Sequence, residues 1–153
     1  MANENRIVRR LALQALYQLD ARSTLDVEEI RSSLIDEQSS EEETTAQGRI
    51  DRAMTLAGEA FKVRESADEL VRELAPTWPP ERQPAIDRAI MRLAHYEMTS
   101  GVTPPKVAVN EAIELAKRFS TENSPAFLNG LLDKALKRVL ANETSAADHS
   151  ESV

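Results

Sequence analysis

The stretch NRIVRRLALQALYQLD, residues 5–20, places Arg6, Arg9 and Arg10 within five positions, with Tyr17 two turns further on. At about 100° per residue, the three arginines and the tyrosine share an arc of about 100°. Val8, Leu11, Ala15 and Leu19 fall on the opposite side. Guanidinium forks match phosphate oxygens, and an aromatic face can stack an unpaired base. The same pattern also describes an amphipathic helix with a solvated outer face and Tyr17 as a packing residue. Taken alone, the wheel allows both readings.

Composition narrows the remaining chemistry. There is no cysteine, so disulfide and thiolate-metal chemistry are excluded. The two histidines, His95 and His149, lie in no HExxH motif, and no nucleophile–base pair or glycine-rich phosphate loop is visible. A non-enzymatic protein without cofactor is expected. No apolar run approaches the roughly 18 residues of a membrane span, and the N-terminus lacks a signal-type apolar core. A cytoplasmic location is therefore expected. The net charge of −7 argues against nucleic acid only superficially. Eight acids are concentrated in DEQSSEEE (36–43) and the tail 142–153, leaving the rest near neutral and the N-terminal segment basic.

Among the elements that must position these groups, helical periodicity recurs throughout. The first helix spans residues 4–21. A short second helix starts after Asp26 as N-cap, with Glu29 three residues on. The acidic stretch to Gln47 reads as a solvated loop. Ile50, Ala53, Met54, Ala57 and Phe61 mark a third pattern, which breaks near Ser66 and resumes through Leu70, Val71 and Leu74. PTWPP (76–80) stops it, because its prolines remove donors and favour extended neighbours. Ile86, Ala89, Ile90, Leu93 and Glu97 share a face of a helix ending at Gly101. Val109, Ala112, Ile113 and Ala116 mark the next. The last begins at Ser124 as N-cap with Pro125 at N1, and its stripe is Leu128, Leu131, Leu132, Ala135 and Val139. The expected fold is all-α, with six to seven helices in two packed bundle-like halves. Residues 1–141 form one domain, and residues 142–153 an acidic disordered tail.

KVAVNEAIELAKRFSTENSPAFLNGLLDKALKRV (106–139) and AIDRAIMRLAHYEM (85–98) resemble signatures of the NusB family of bacterial transcription antitermination factors, and RRLALQALYQLD resembles the family's arginine-rich first helix. The resemblance covers about residues 6–139. It implies an all-helical, non-catalytic RNA-binding protein that pairs with the ribosomal protein NusE. The pair would bind boxA RNA of nascent ribosomal transcripts and join an antitermination complex on RNA polymerase. It also implies self-association as a state available to relatives.

Carried onto this sequence, the resemblance assigns Arg6, Arg9 and Tyr17 to the RNA-contacting helix, with Arg10 as a neighbouring addition. Arg92 falls on the RNA-facing side, opposite Ile86, Ile90 and Leu93 on its wheel, so exposure is expected. Phe119 and Phe127 match aromatics near the RNA and partner surface, with a core role as the alternative. Asp87, Arg88 and Glu111 fall at the NusE-binding surface or serve as plain surface charge. Asn110 is expected to need a structural partner. Pro105 replaces a larger residue, which puts one partner contact in doubt. Asn123 replaces an acid beside the RNA surface, which favours RNA electrostatically. Two other readings stand beside this one. One is a helical protein–protein adaptor. The other is an RNA-binding fragment of a ribosomal RNA methyltransferase, whose nucleophilic cysteines these residues lack.

Overall fold

The computed structural model describes residues 2–21, 27–37 and 43–151. Among them it contains seven α-helices and no strand: α1 (Ala2–Ala21), α2 (Val27–Glu37), α3 (Glu43–Lys62), α4 (Arg64–Leu74), α5 (Ala85–Ser100), α6 (Pro105–Phe119) and α7 (Ser124–Glu151). A 3₁₀ turn, Pro80–Arg82, precedes α5. The all-α expectation holds.

Helix α1 packs against α2, α3 and α5, while α5 also meets α4, α6 and α7. The two bundle-like halves therefore share one continuous apolar core, running from Val8 and Leu11 to Leu132 and Val139. Small residues bring the helices close: Ala12 and Ala15 on α1, and Ala53, Ala57 and Ala60 on α3, are all fully buried. The expected α7 stripe, Leu128, Leu131, Leu132, Ala135 and Val139, is buried throughout. Gly101 caps α5 in the left-handed region, with φ of 79°, where glycine avoids the Cβ clash.

Three boundaries differ from the sequence expectation. Helix α3 begins at Glu43 instead of after Gln47, because Ala46 extends the stripe of Ile50 by one turn and is buried. The break between α3 and α4 falls at Val63, three residues before Ser66, whose N–H bonds to the Val63 carbonyl at 3.1 Å. Helix α7 continues to Glu151, through residues 142–151 where a disordered tail is expected; among the described residues, its last buried side chain is Val139. The expected N-cap of α2, Asp26, lies outside the described residues. Among the described residues, no helix is long and apolar enough to cross a membrane.

Candidate nucleic-acid interface

Because α1 is covered on three sides, only a narrow arc faces outward. Arg6 has a 60% exposed side chain, Tyr17 is 46% exposed, and Arg10 is half-buried between them. The C-terminal half of α6 lies beside this arc and adds Lys117, Arg118 and Phe119. A cleft of about 280 Å³ between the two helices is lined by Arg6, Arg10, Glu111, Lys117, Arg118 and Phe119, among others. A broader groove of about 720 Å³ continues from it, walled by Arg10, Leu13, Tyr17, Pro84, Ile86 and Phe119. Arg10 and Phe119 border both. The Arg118 guanidinium lies over the Phe119 ring, 5.1 Å from its centroid. Four cations and two aromatic rings thus share one face, tempered by Glu111 and Glu114.

The structure brings Arg6, Arg10, Tyr17 and Phe119 together and corrects the placement of Arg9. Arg9 is only 9% exposed. Its Nε and Nη2 donate to the two carboxylate oxygens of Glu97 at 2.8 and 2.9 Å, and Thr103 Oγ1 donates to Glu97 at 2.7 Å. Burial alone would lower the Arg9 pKa; the hydrogen bond and charge of Glu97, with the charge of Glu111, outweigh it and leave it raised. Glu111 also holds Arg6, accepting from Nε and Nη2 at 3.3 Å each. It is therefore an intramolecular partner on the arginine face.

Arg92 is likewise corrected. It is 7% exposed, and its Nε and Nη2 donate to Asp68 at 3.1 and 2.7 Å while Nη1 donates to Asp20 at 2.9 Å. Burial opposes its charge, but the bonds and charges of Asp68 and Asp20 prevail and raise its pKa. Arg88, half-buried, shares Asp20 through Nε at 3.1 Å and donates to the Pro80 carbonyl at 2.8 Å. Asp87 is 2% exposed, so it is not a surface contact. It accepts hydrogen bonds from the Ser120 hydroxyl and, at 2.8 Å, from Ser124 Oγ. Ser124 thus bonds to Asp87 across the fold at the position expected to be an N-cap. The physical reason is common to all three α5 residues: the helix is surrounded, so the side opposite its apolar stripe meets other helices instead of water.

Phe119 and Phe127 are both partly buried against the core, and only Phe119 lines the clefts. Asn123 is exposed in the α6–α7 turn. Asn110 is exposed too, so it needs no protein partner. Pro105 occupies the first turn of α6, where a missing N–H costs nothing. Lys117 and Arg118 escape the sequence reading. Their signal is a basic pair ahead of an aromatic residue, on the side of α6 away from Val109, Ala112 and Ala116.

The NusB family profile matches residues 6–137 of this chain. The chain belongs to the NusB family. Among NusB relatives, the transcription antitermination protein NusB of Herpetosiphon aurantiacus is 35% identical over 140 residues, covering 89% of this chain and 92% of the relative. That of Symbiobacterium thermophilum is 40% identical over 138 residues, covering 86% and 88%. The structure of T. maritima NusB superposes with a TM-score of 0.70 at 32% identity, covering 86% of this chain and 89% of that one. A crystal structure of the antitermination factors NusB and NusE in complex with dsRNA shares the fold, with a TM-score of 0.72 at 20% identity, covering 90% and 99%.

Proposed function

We propose that this NusB-family chain is a cytoplasmic, non-catalytic RNA-binding antitermination factor. It pairs with the ribosomal protein NusE, binds boxA RNA of nascent ribosomal transcripts and joins the antitermination complex on RNA polymerase. The observation that carries the reading is the convergence of Arg6, Arg10, Lys117 and Arg118 with Tyr17 and Phe119 on one face, in a chain whose relatives are antitermination proteins. The guanidinium and ammonium groups track phosphates, which sets position, and the aromatic faces engage unpaired bases, which adds selectivity. Asn123, exposed at the edge of the turn after Phe119, extends this surface. Glu111 and Phe127 serve the NusE side from its border, while Asp87, Arg88, Arg9 and Arg92 act from beneath by fixing the helices.

The test is a titration of boxA-type single-stranded RNA at several salt concentrations, with and without NusE. The double variant Arg6→Ala, Arg10→Ala should weaken boxA binding and make the slope of log affinity against log salt shallower by about 0.7 for each phosphate no longer neutralised. Its melting temperature should barely change, since alanine is a good helix former. An unaltered slope and affinity would overturn the RNA assignment and favour a protein–protein adaptor.

A further inference from the structure

The other arginines of α1 and α5 are matched to acids: Arg6 to Glu111, Arg9 to Glu97, Arg88 to Asp20, and Arg92 to Asp68 and Asp20. Arg10 is different. Its Nε is shut off from solvent and has no hydrogen-bond partner among the described residues. A buried donor left unpaired is costly, and turning the side chain so that this donor meets a ligand's acceptor relieves that cost. The two carboxylates lining the small cleft are already engaged elsewhere, Glu111 with Arg6 and Glu114 with Lys117 at 3.4 Å. Arg10 and Phe119 form the ridge between the basic cleft and the mostly apolar groove.

These features call for a ligand with three parts: an anionic group for the basic side, a flat apolar face for Phe119, and oxygen or nitrogen acceptors between them. A nucleotide has all three. We propose that the Arg10–Phe119 ridge is a seat for one unpaired RNA nucleotide, with its base stacked at Phe119, its acceptors bonded by the Arg10 fork, and its phosphate held by Lys117 and Arg118. This rests on the RNA-binding reading above and goes beyond it by assigning a single-nucleotide site. Arg10 and Phe119 would determine which nucleotide is preferred, while Arg6 contributes charge alone. The planar fork matters because it carries the Nε–H; a lysine at position 10 keeps the charge and loses that donor.

The experiment measures binding of the full chain, with NusE present, to a boxA-type single-stranded oligonucleotide and to a set in which each nucleotide in turn is made abasic. Stacking on an aromatic side chain predicts that one abasic position weakens wild-type binding about tenfold or more. Arg10→Lys should weaken the intact oligonucleotide by a similar factor without changing the salt slope, and should become insensitive to that same abasic position. Arg10→Gln serves as a second variant, and melting curves verify that both are folded. If Arg10→Lys binds as the wild type does, or if its loss and the abasic loss simply multiply, the single-nucleotide seat is overturned while RNA binding stands. Absence of RNA binding by the wild type would overturn the parent reading and this seat together.

Discussion

Replacing Arg92 by methionine removes a buried guanidinium while keeping most of the side-chain volume. In the structure, Arg92 supplies two hydrogen bonds to Asp68 and one to Asp20. Asp20 would retain Arg88, but Asp68, only 9% exposed, would lose both of these bonds. Breaking a buried pair from one side costs about 3–5 kcal/mol. The residual exposure of Asp68 and the surviving Arg88–Asp20 pair point to the lower end, about 3 kcal/mol. For a chain of this size, that lowers the melting temperature by about 6–12 °C. The double variant Arg92→Met, Asp68→Leu removes both charges together and should recover to within about 1 kcal/mol of the wild type, since a buried ion pair largely offsets its own desolvation. Urea denaturation followed by circular dichroism measures both. RNA affinity of Arg92→Met, taken at a temperature where it is folded, should stay within about twofold of wild type. A stability loss below about 1 kcal/mol, or a double variant no better than the single, would refute the buried-pair argument.

Other perturbations test neighbouring parts of the structure. Burial works to raise the Asp20 pKa, but hydrogen bonds and charges from Arg88 and Arg92 together hold it below the usual range. Its contribution should be complete above about pH 4 and lost as pH falls further, so Asp20→Asn should flatten the acid limb of the stability–pH curve. Burial lowers the His95 pKa, so the unfolded chain takes up this proton first. Stability should therefore decline as pH drops below about 6.5, and His95→Gln should remove that slope in denaturation series. Asp87→Ala leaves the Ser120 and Ser124 hydroxyls without their acceptor. It should cost about 1–3 kcal/mol in chemical denaturation, where a surface residue would cost almost nothing.

Local features are the legible ones. The α7 stripe and the Gly101 cap depend on neighbours a few residues away, and both appear as expected. Glu97 is visible as an anomaly, an acid on the apolar face of α5; its partner Arg9 lies 88 residues earlier, and no single-helix wheel pairs the two. A wheel for α1 assumes one buried side, whereas α2, α3 and α5 cover most of its circumference and turn Arg9 inward. Asp87 resembles a free acid in the first turn of α5 because the residues that enclose it, Ser120 after α6 and Ser124 at the start of α7, lie over 30 positions away. Lys117 and Arg118 gain their significance only where α6 lies beside Arg10 and Arg6.

The ionic partners of α1 also set a schedule for the emerging chain. Arg9 waits 88 residues for Glu97, Asp20 waits 68 for Arg88, and Arg6 waits 105 for Glu111. At synthesis rates of about 5–20 residues per second, roughly 3–20 seconds pass between synthesis of these α1 residues and synthesis of their partners. During that interval the α1 guanidinium groups have no native acids to meet, and the nearest plentiful anion is the ribosome's own RNA. The guanidinium groups of α1 are thus most available to any polyanion before the chain has folded, and completion of α5 and α6 withdraws Arg9 and restrains Arg6.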